Sequence, residues 1–161
     1  MTLTDRANQA RETLFGRYDQ LNALWLQAEE QLAKLHIPRP VCHVYLSYEE
    51  DHERRESQVE YCLGLQKVKG KWTICHAIHY PFYGHPDDEP EWIPITDCSA
   101  EVRVRAAKHL PQLREAVVKS AEDFIPKVDE AIHHLRTALN VPDEHLQALL
   151  AERAKLNGKA K

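Results

Sequence analysis

Glycine is scarce in this chain, and its distribution excludes one common type of binding site. The 161 residues contain five glycines, and no two lie close enough together to form a phosphate-binding loop. No serine lies in the G-x-S-x-G turn of a hydrolase nucleophile elbow. The cysteines also lack C-x-x-C spacing, which argues against a disulfide framework and predicts reduced thiols that act as small apolar residues. The four are Cys42, Cys62, Cys75 and Cys98.

Long apolar runs and a strong excess of one charge are absent too. No segment approaches the roughly 18 consecutive apolar residues that span a bilayer, and residues 1–10 lack the pattern of a signal peptide. We therefore expect a cytoplasmic protein with no membrane partner. The net charge of −4 argues against a dedicated nucleic-acid-binding domain, although a local basic patch can coexist with an acidic total.

The N-terminal region predicts one long helix over residues 4–36. Thr2 and Asp5 form a capping-box pattern, and Pro38 and Pro40 prevent continuation. Apolar residues alternate at spacings of four and three, which is a heptad pattern that packs on another helix. They are Leu14, Tyr18, Leu21, Trp25, Ala28, Leu32 and Leu35. Pairing within the chain is favoured over dimerisation, because a matching helix lies downstream.

The middle of the chain predicts a three-stranded antiparallel meander. Residues 41–48 alternate between two faces, and residues 59–67 and 71–80 form a hairpin around Lys69 and Gly70, where glycine supplies the positive φ of a tight turn. The intervening charged segment 49–56 is a solvated connection. Residues 81–94 contain four prolines and predict an irregular loop, in which Trp92 and Ile93 return to the core.

A second helical block opens near Asp97 or Ser99, either of which is a plausible N-cap. Pro111 predicts a new helix start, and Pro126 a break or kink. The apolar residues of this block, from Leu113 to Leu135, are expected to pack on the N-terminal helix, with Trp25 and Phe124 as core anchors. A short last helix follows residue 142, and residues 157–161 form a frayed tail. The order is α-β-β-β-α-α-α, an α+β fold in a single domain over residues 1–161.

The hairpin register places bulky aromatic and histidine side chains together on one face of the sheet. Tyr61, Trp72 and His76 share this face, joined by Tyr45 if the first strand pairs in register. Aromatic side chains are enriched at interface hot spots, so these four are the candidate partner-binding residues. We expect Tyr61 and His76 to remain exposed in the monomer. The alternative is that a helix covers this face and makes it ordinary core.

Metal chemistry and acid–base chemistry are alternatives that the residue types leave open. Cys75, His79 and the loop around His85 form the candidate site of a metal-dependent enzyme. Glu60 and His79 are expected to be cross-strand neighbours, which could position a general base. The paired turn ligands of structural zinc sites are missing, so we expect no metal, no cofactor and no catalytic residue, with Cys42, Cys62 and Cys75 filling the small-residue sheet face.

A basic cluster at the end of the hairpin supports another function. Arg54, Arg55, Lys67, Lys69 and Lys71 lie near one another, and Trp72 could stack on a base. Lysine at a sheet edge also protects against unwanted strand pairing. The sequence therefore predicts a non-enzymatic interaction or regulatory protein that binds a protein partner or itself through the sheet face or helix surfaces. The alternatives are a nucleic-acid accessory protein and the metal-dependent enzyme.

Overall fold

An antiparallel sheet between helical segments forms the fold of the computed structural model, which describes residues 1–49, 58–82 and 89–158. The elements are α1 (Leu3–Ala33), β1 (Val41–Glu49), β2 (Gln58–Val68), β3 (Lys71–His79), β4 (Ile93–Pro94), α2 (Ala100–Ala107), α3 (Leu110–Leu139) and α4 (Asp143–Gly158). The strands lie in the order β1-β2-β3-β4. This confirms the predicted α+β fold and meander.

The fourth strand was not predicted, because β4 is two residues long. Within the segment expected to be an irregular loop, Ile93 pairs with His76 and Pro94 with Cys75. Two residues are too few to show the alternation that identifies a strand. The short strand holds this segment against β3 through its backbone, but the Ile93 side chain is exposed, so the prediction that Ile93 returns to the core is wrong.

Helix termini follow the capping chemistry of the sequence. Thr2 and Asp5 form the capping box of α1, and the Ser99 side chain accepts a hydrogen bond from the Val102 N–H at the start of α2. Pro111 lies in the first turn of α3, as predicted. Pro126 does not end the helix, which continues to Leu139. Of the two predicted outcomes at Pro126, a break or a kink, the break is therefore wrong.

The hairpin has the predicted turn and register. Lys69 and Gly70 adopt φ values of 49° and 84°, the left-handed conformation that a primed two-residue turn requires at both positions. Leu63 pairs with His76, and the other cross-strand pairs follow as expected. The faces of β2 and β3 are therefore those read from the sequence.

A β-bulge changes which side chains of β1 lie on each face of the sheet. Val44 pairs with Cys62, whereas Leu46 pairs with Tyr61, so one extra residue lies between them in β1. A bulge shifts the alternation of every later side chain. Tyr48 consequently stacks on Tyr61, on the face where uninterrupted alternation would have put Ser47.

The chain divides into two compact units, Met1–Ala121 and a second that begins at Glu122. The first unit contains the buried core, in which α1, the sheet, α2 and the start of α3 each contribute side chains. Its fully or nearly buried members are Trp25, Leu32, Ile37, Leu63, Leu65, Ile74, Ile95, Ala106, Leu113 and Val117. Among residues 122–158, all of them described, none is buried.

Within the first unit, α1 and the start of α3 share the buried core, as predicted. Trp25 is 3% exposed and shares its buried cluster with Leu113 and Val117. Phe124 is 39% exposed and Leu135 is 61% exposed, so the prediction of Phe124 as a core anchor is wrong. The heptad pattern is continuous along the helix, but burial of its apolar side ends near residue 121.

Candidate functional site

Three of the four side chains predicted on one sheet face, Tyr45, Tyr61 and His76, lie together. A hydrogen bond of 2.9 Å joins the Tyr45 hydroxyl and His76 Nε2. The Tyr61 ring centroid lies 5.9 Å from that of His76 and 6.3 Å from that of Tyr45. The Tyr48 hydroxyl is 3.5 Å from that of Tyr61. We call Tyr45, Tyr48, Tyr61 and His76 the tyrosine–histidine cluster.

The helical segment that follows the sheet covers part of this cluster. The His109 ring stacks on Tyr45 with centroids 4.6 Å apart, and the Arg105 guanidinium carbon lies 5.5 Å from the Tyr61 ring centroid. His76 is only 4% exposed, so the expectation that it remains accessible is wrong. A cation over an aromatic face and a stacked imidazole both stabilise this cover.

Burial keeps the two hydrogen-bonded groups of the cluster neutral near pH 7. Desolvation, followed by the nearby Arg105 charge, lowers the pKa of His76 below its usual value. Desolvation raises the pKa of Tyr45, with Arg105 acting in the opposite direction. Two neutral groups that hydrogen-bond to each other beneath a helical segment are typical of buried polar side chains whose hydrogen-bonding capacity is met within the protein.

A cavity of about 430 Å³ lies beside the cluster, between β3 and the start of α2. Tyr61 and His76 contribute to its wall, together with Ile93, Asp97 and Val102. Its volume falls in the range of small-molecule sites. Cys98 also lines it, but desolvation and the Asp97 charge raise the pKa of this thiol, which makes it a poor nucleophile.

Trp72, the fourth predicted partner-binding residue, is half-buried and packs against the main core. Its indole is therefore a structural group, and the hairpin end offers no exposed tryptophan ring for stacking on a base. Lys67, Lys69 and Lys71 are exposed there, as expected. Arg54 and Arg55 lie outside the described residues.

Of the residues of the metal alternative, the described part of the chain includes Cys75 and His79. Cys75 is fully buried, and desolvation raises its pKa to about 12. His79 Nδ1 lies 3.2 Å from Glu60 Oε2, which confirms the predicted cross-strand pair, and His85 lies outside the described residues. Within residues 1–49, 58–82 and 89–158, no three His, Cys, Asp or Glu side chains are placed to share a metal ion.

The small-residue face of the sheet is also largely covered. Cys62 and Cys75 are buried as predicted, whereas Cys42 is exposed, so its assignment as a core filler is wrong. The Trp92 indole lies over Gly64, where a Cβ would come within 2.8 Å of it. Both sheet faces therefore contain structural contacts made by the chain itself.

Sequence reasoning missed the exposed apolar surface of the helices. In α3 and α4, large side chains remain exposed from Phe124 onward; they include Ile125, Val128, Ile132, Leu135, Leu139, Leu149, Leu150 and Leu156. The signal was present in the heptad pattern, but periodicity alone does not distinguish a face buried by the same chain from one that is not. No helix in the described part of the chain has the length and apolarity needed to cross a membrane.

Comparison with protein-family models, curated proteins and solved structures found no match.

Proposed function

We propose that this protein is a non-enzymatic interaction or regulatory protein that binds another macromolecule through its helix surfaces. The observation that supports this most directly is the exposure of apolar side chains in the second unit. Its two helical segments carry apolar side chains at core-type spacing, yet no residue of 122–158 is buried. Exposed apolar surface of this kind marks interaction sites in soluble proteins.

The second unit is poorly stabilised by contacts of its own. The Arg136 guanidinium pairs with Asp143 across the turn between α3 and α4, and the Val141 N–H donates to the Arg136 carbonyl. These polar contacts order the turn, but α4 has no buried residue. Most helical stability in proteins comes from packing of an apolar face, so a partner that covers this face would stabilise both helices.

The sheet is a weaker candidate for the interaction surface. His76 and Trp72 belong to packed structure, and Arg105 and His109 cover Tyr61 and Tyr45. A macromolecular partner that contacted the full rings of Tyr45 and Tyr61 would have to displace His109 and Arg105. The helix surface needs no such rearrangement, which is why we assign the interaction to it.

The test compares two single substitutions on one helix. Leu135→Glu places a charge within the apolar side of α3, whereas Thr137→Glu places the same charge on the opposite side, two residues away. The wild-type chain and Thr137→Glu should capture the same binding protein from an extract of the source cells, and Leu135→Glu should not. Affinity for the purified partner should fall at least about tenfold in Leu135→Glu. Equal binding by all three chains, or no specific binding by any, would contradict the proposal.

A further inference from the structure

The apolar side of α3 beyond the core is wide and regular. Phe124, Val128, Ala131 and Leu135 step by four, three and four residues, which keeps them on one side of a helix. Three further residues, Ile125, Ile132 and Leu139, extend that side. We call these seven residues the α3 stripe. A stripe of this width, at a, d and e positions, is typical of a helix that is covered by other structure.

The exposed area of the stripe matches the need of a symmetric dimer. Its six large residues have between 39% and 69% of their surface exposed, which amounts to on the order of 500 Å² if the whole surface of each residue is taken as roughly 150–200 Å², the lower part of the range for aromatic side chains. A standard interface buries about 800 Å² per partner, and in homodimers about 65% of that area is apolar. About 65% of 800 Å² is roughly 520 Å², which agrees with the exposed area of the stripe.

Resting on the proposed function, we propose that the macromolecule that binds the α3 stripe is a second copy of this chain. The two α3 helices pair antiparallel about a two-fold axis that passes between residues 129 and 130. A symmetric interface uses the same surface on both copies, so the stripe must be complementary to itself. The spacing of four, three and four reads identically in both directions, so antiparallel pairing matches each of Phe124, Val128, Ala131 and Leu135 with another of these four residues.

Side-chain size favours the antiparallel arrangement over the parallel one. In the antiparallel pair, Phe124 faces Leu135 of the second copy and Val128 faces Ala131, so every layer combines a larger with a smaller side chain. Parallel pairing would place Phe124 against itself and Ala131 against itself, which gives one crowded layer and one layer with a gap. Even filling of the layers is what close packing requires. Antiparallel helix dipoles add a favourable term.

Sedimentation of the full chain tests whether the dimer forms. At concentrations from about 1 to 100 µM, the wild-type chain and Thr137→Glu should approach twice the 18.6 kDa monomer mass, and Leu135→Glu should remain monomeric with an unchanged circular dichroism spectrum. A monomeric wild-type chain throughout this range would overturn the proposal. So would a dimer that Leu135→Glu does not weaken.

Cysteine cross-linking tests the geometry and does not depend on a charge variant that could lose structure. In a Cys42→Ser background, which removes the exposed native thiol, the chain carrying both Phe124→Cys and Leu135→Cys should oxidise to a covalent dimer. Each cysteine alone should not, because two copies of position 124 would lie about 16 Å apart along the antiparallel axis. Dimers from each single cysteine would establish parallel pairing and overturn the model, as would the absence of cross-linking from the double variant.

The two proposals fail in different ways. A chain that is monomeric at 100 µM but captures a different protein in a Leu135-dependent manner would refute self-association and support the proposed function. A chain that dimerises through another surface and binds nothing on α3 would refute both.

Discussion

Replacing Gly64 with alanine would put a methyl group into space occupied by Trp92. The new Cβ would lie 2.8 Å from Trp92 Cζ3, 3.0 Å from Cη2 and 2.9 Å from Gln66 Nε2. Carbon atoms in favourable contact are about 3.5–4.0 Å apart. The Gln66 amide can rotate away, but the indole is rigid and lies next to Ile93, whose backbone pairs with His76. Trp92 must therefore shift by nearly 1 Å or leave the sheet.

The expected cost is the difference between two effects. Overpacking of a well-filled site costs about 1–3 kcal/mol. Alanine recovers roughly 0.5–1 kcal/mol relative to glycine in a strand, because it loses less backbone entropy on folding. We expect Gly64→Ala to lower the free energy of unfolding by about 1–2 kcal/mol.

Urea unfolding, followed by circular dichroism, measures this change, and a double-mutant cycle isolates its cause. Trp92→Ala alone removes the indole, and Gly64→Ala added to it should then cost close to zero or be slightly stabilising. A coupling energy below about 0.5 kcal/mol, the usual limit of additivity, would refute the reasoning. So would a Gly64→Ala single variant as stable as the wild-type chain.

Three further predictions concern the first unit. Trp25→Ala should lower the free energy of unfolding by about 3–5 kcal/mol, measured by urea unfolding; a neutral result would refute its role as a core anchor. Desolvation raises the pKa of Glu29 above its ordinary 4.5, although its Oε2 accepts a hydrogen bond from the Ile74 N–H. The contribution of Glu29 to stability should therefore fall as pH rises above about 4.5, so Glu29→Gln should gain stability relative to the wild-type chain as pH rises from 4.5, with unfolding midpoints at each pH as the check. The lowered pKa of His76 has the opposite effect, because the neutral imidazole is favoured in the folded chain. The contribution of His76 to stability is present above pH 6.5 and should be lost on acidification. Between pH 7.5 and 5.5, His76→Gln should therefore lose less stability than the wild-type chain, with unfolding midpoints at each pH as the check.

Local features were predictable because they depend on neighbouring residues in the sequence. The Thr2–Asp5 capping box and the Ser99 N-cap satisfy backbone groups within three residues. The turn at Gly70 requires positive φ, and the turn sets the register of the whole hairpin. The Glu60–His79 pair followed directly from that register.

Features that depend on distant residues were not predictable. Nothing near Tyr45 in the sequence indicates that His109 stacks on it, and nothing near Tyr61 indicates the Arg105 guanidinium above its ring. The bulge between Val44 and Leu46 changes facing without a glycine or proline to mark it. Alternation alone therefore identified Tyr45, Tyr61 and His76 as neighbours, but neither the addition of Tyr48 nor the burial of His76.

The sequence by itself determined the α+β fold, the meander, the hairpin register and the helix starts, because each is set by short-range sterics, hydrogen bonding and side-chain periodicity. Only the tertiary structure decided which apolar faces the chain buries. Trp25 and Phe124 follow the same heptad spacing, yet Trp25 is enclosed by side chains from several elements, whereas Phe124 remains partly exposed. Periodicity specifies that a helix has an apolar side, but burial depends on what the rest of the chain brings to it.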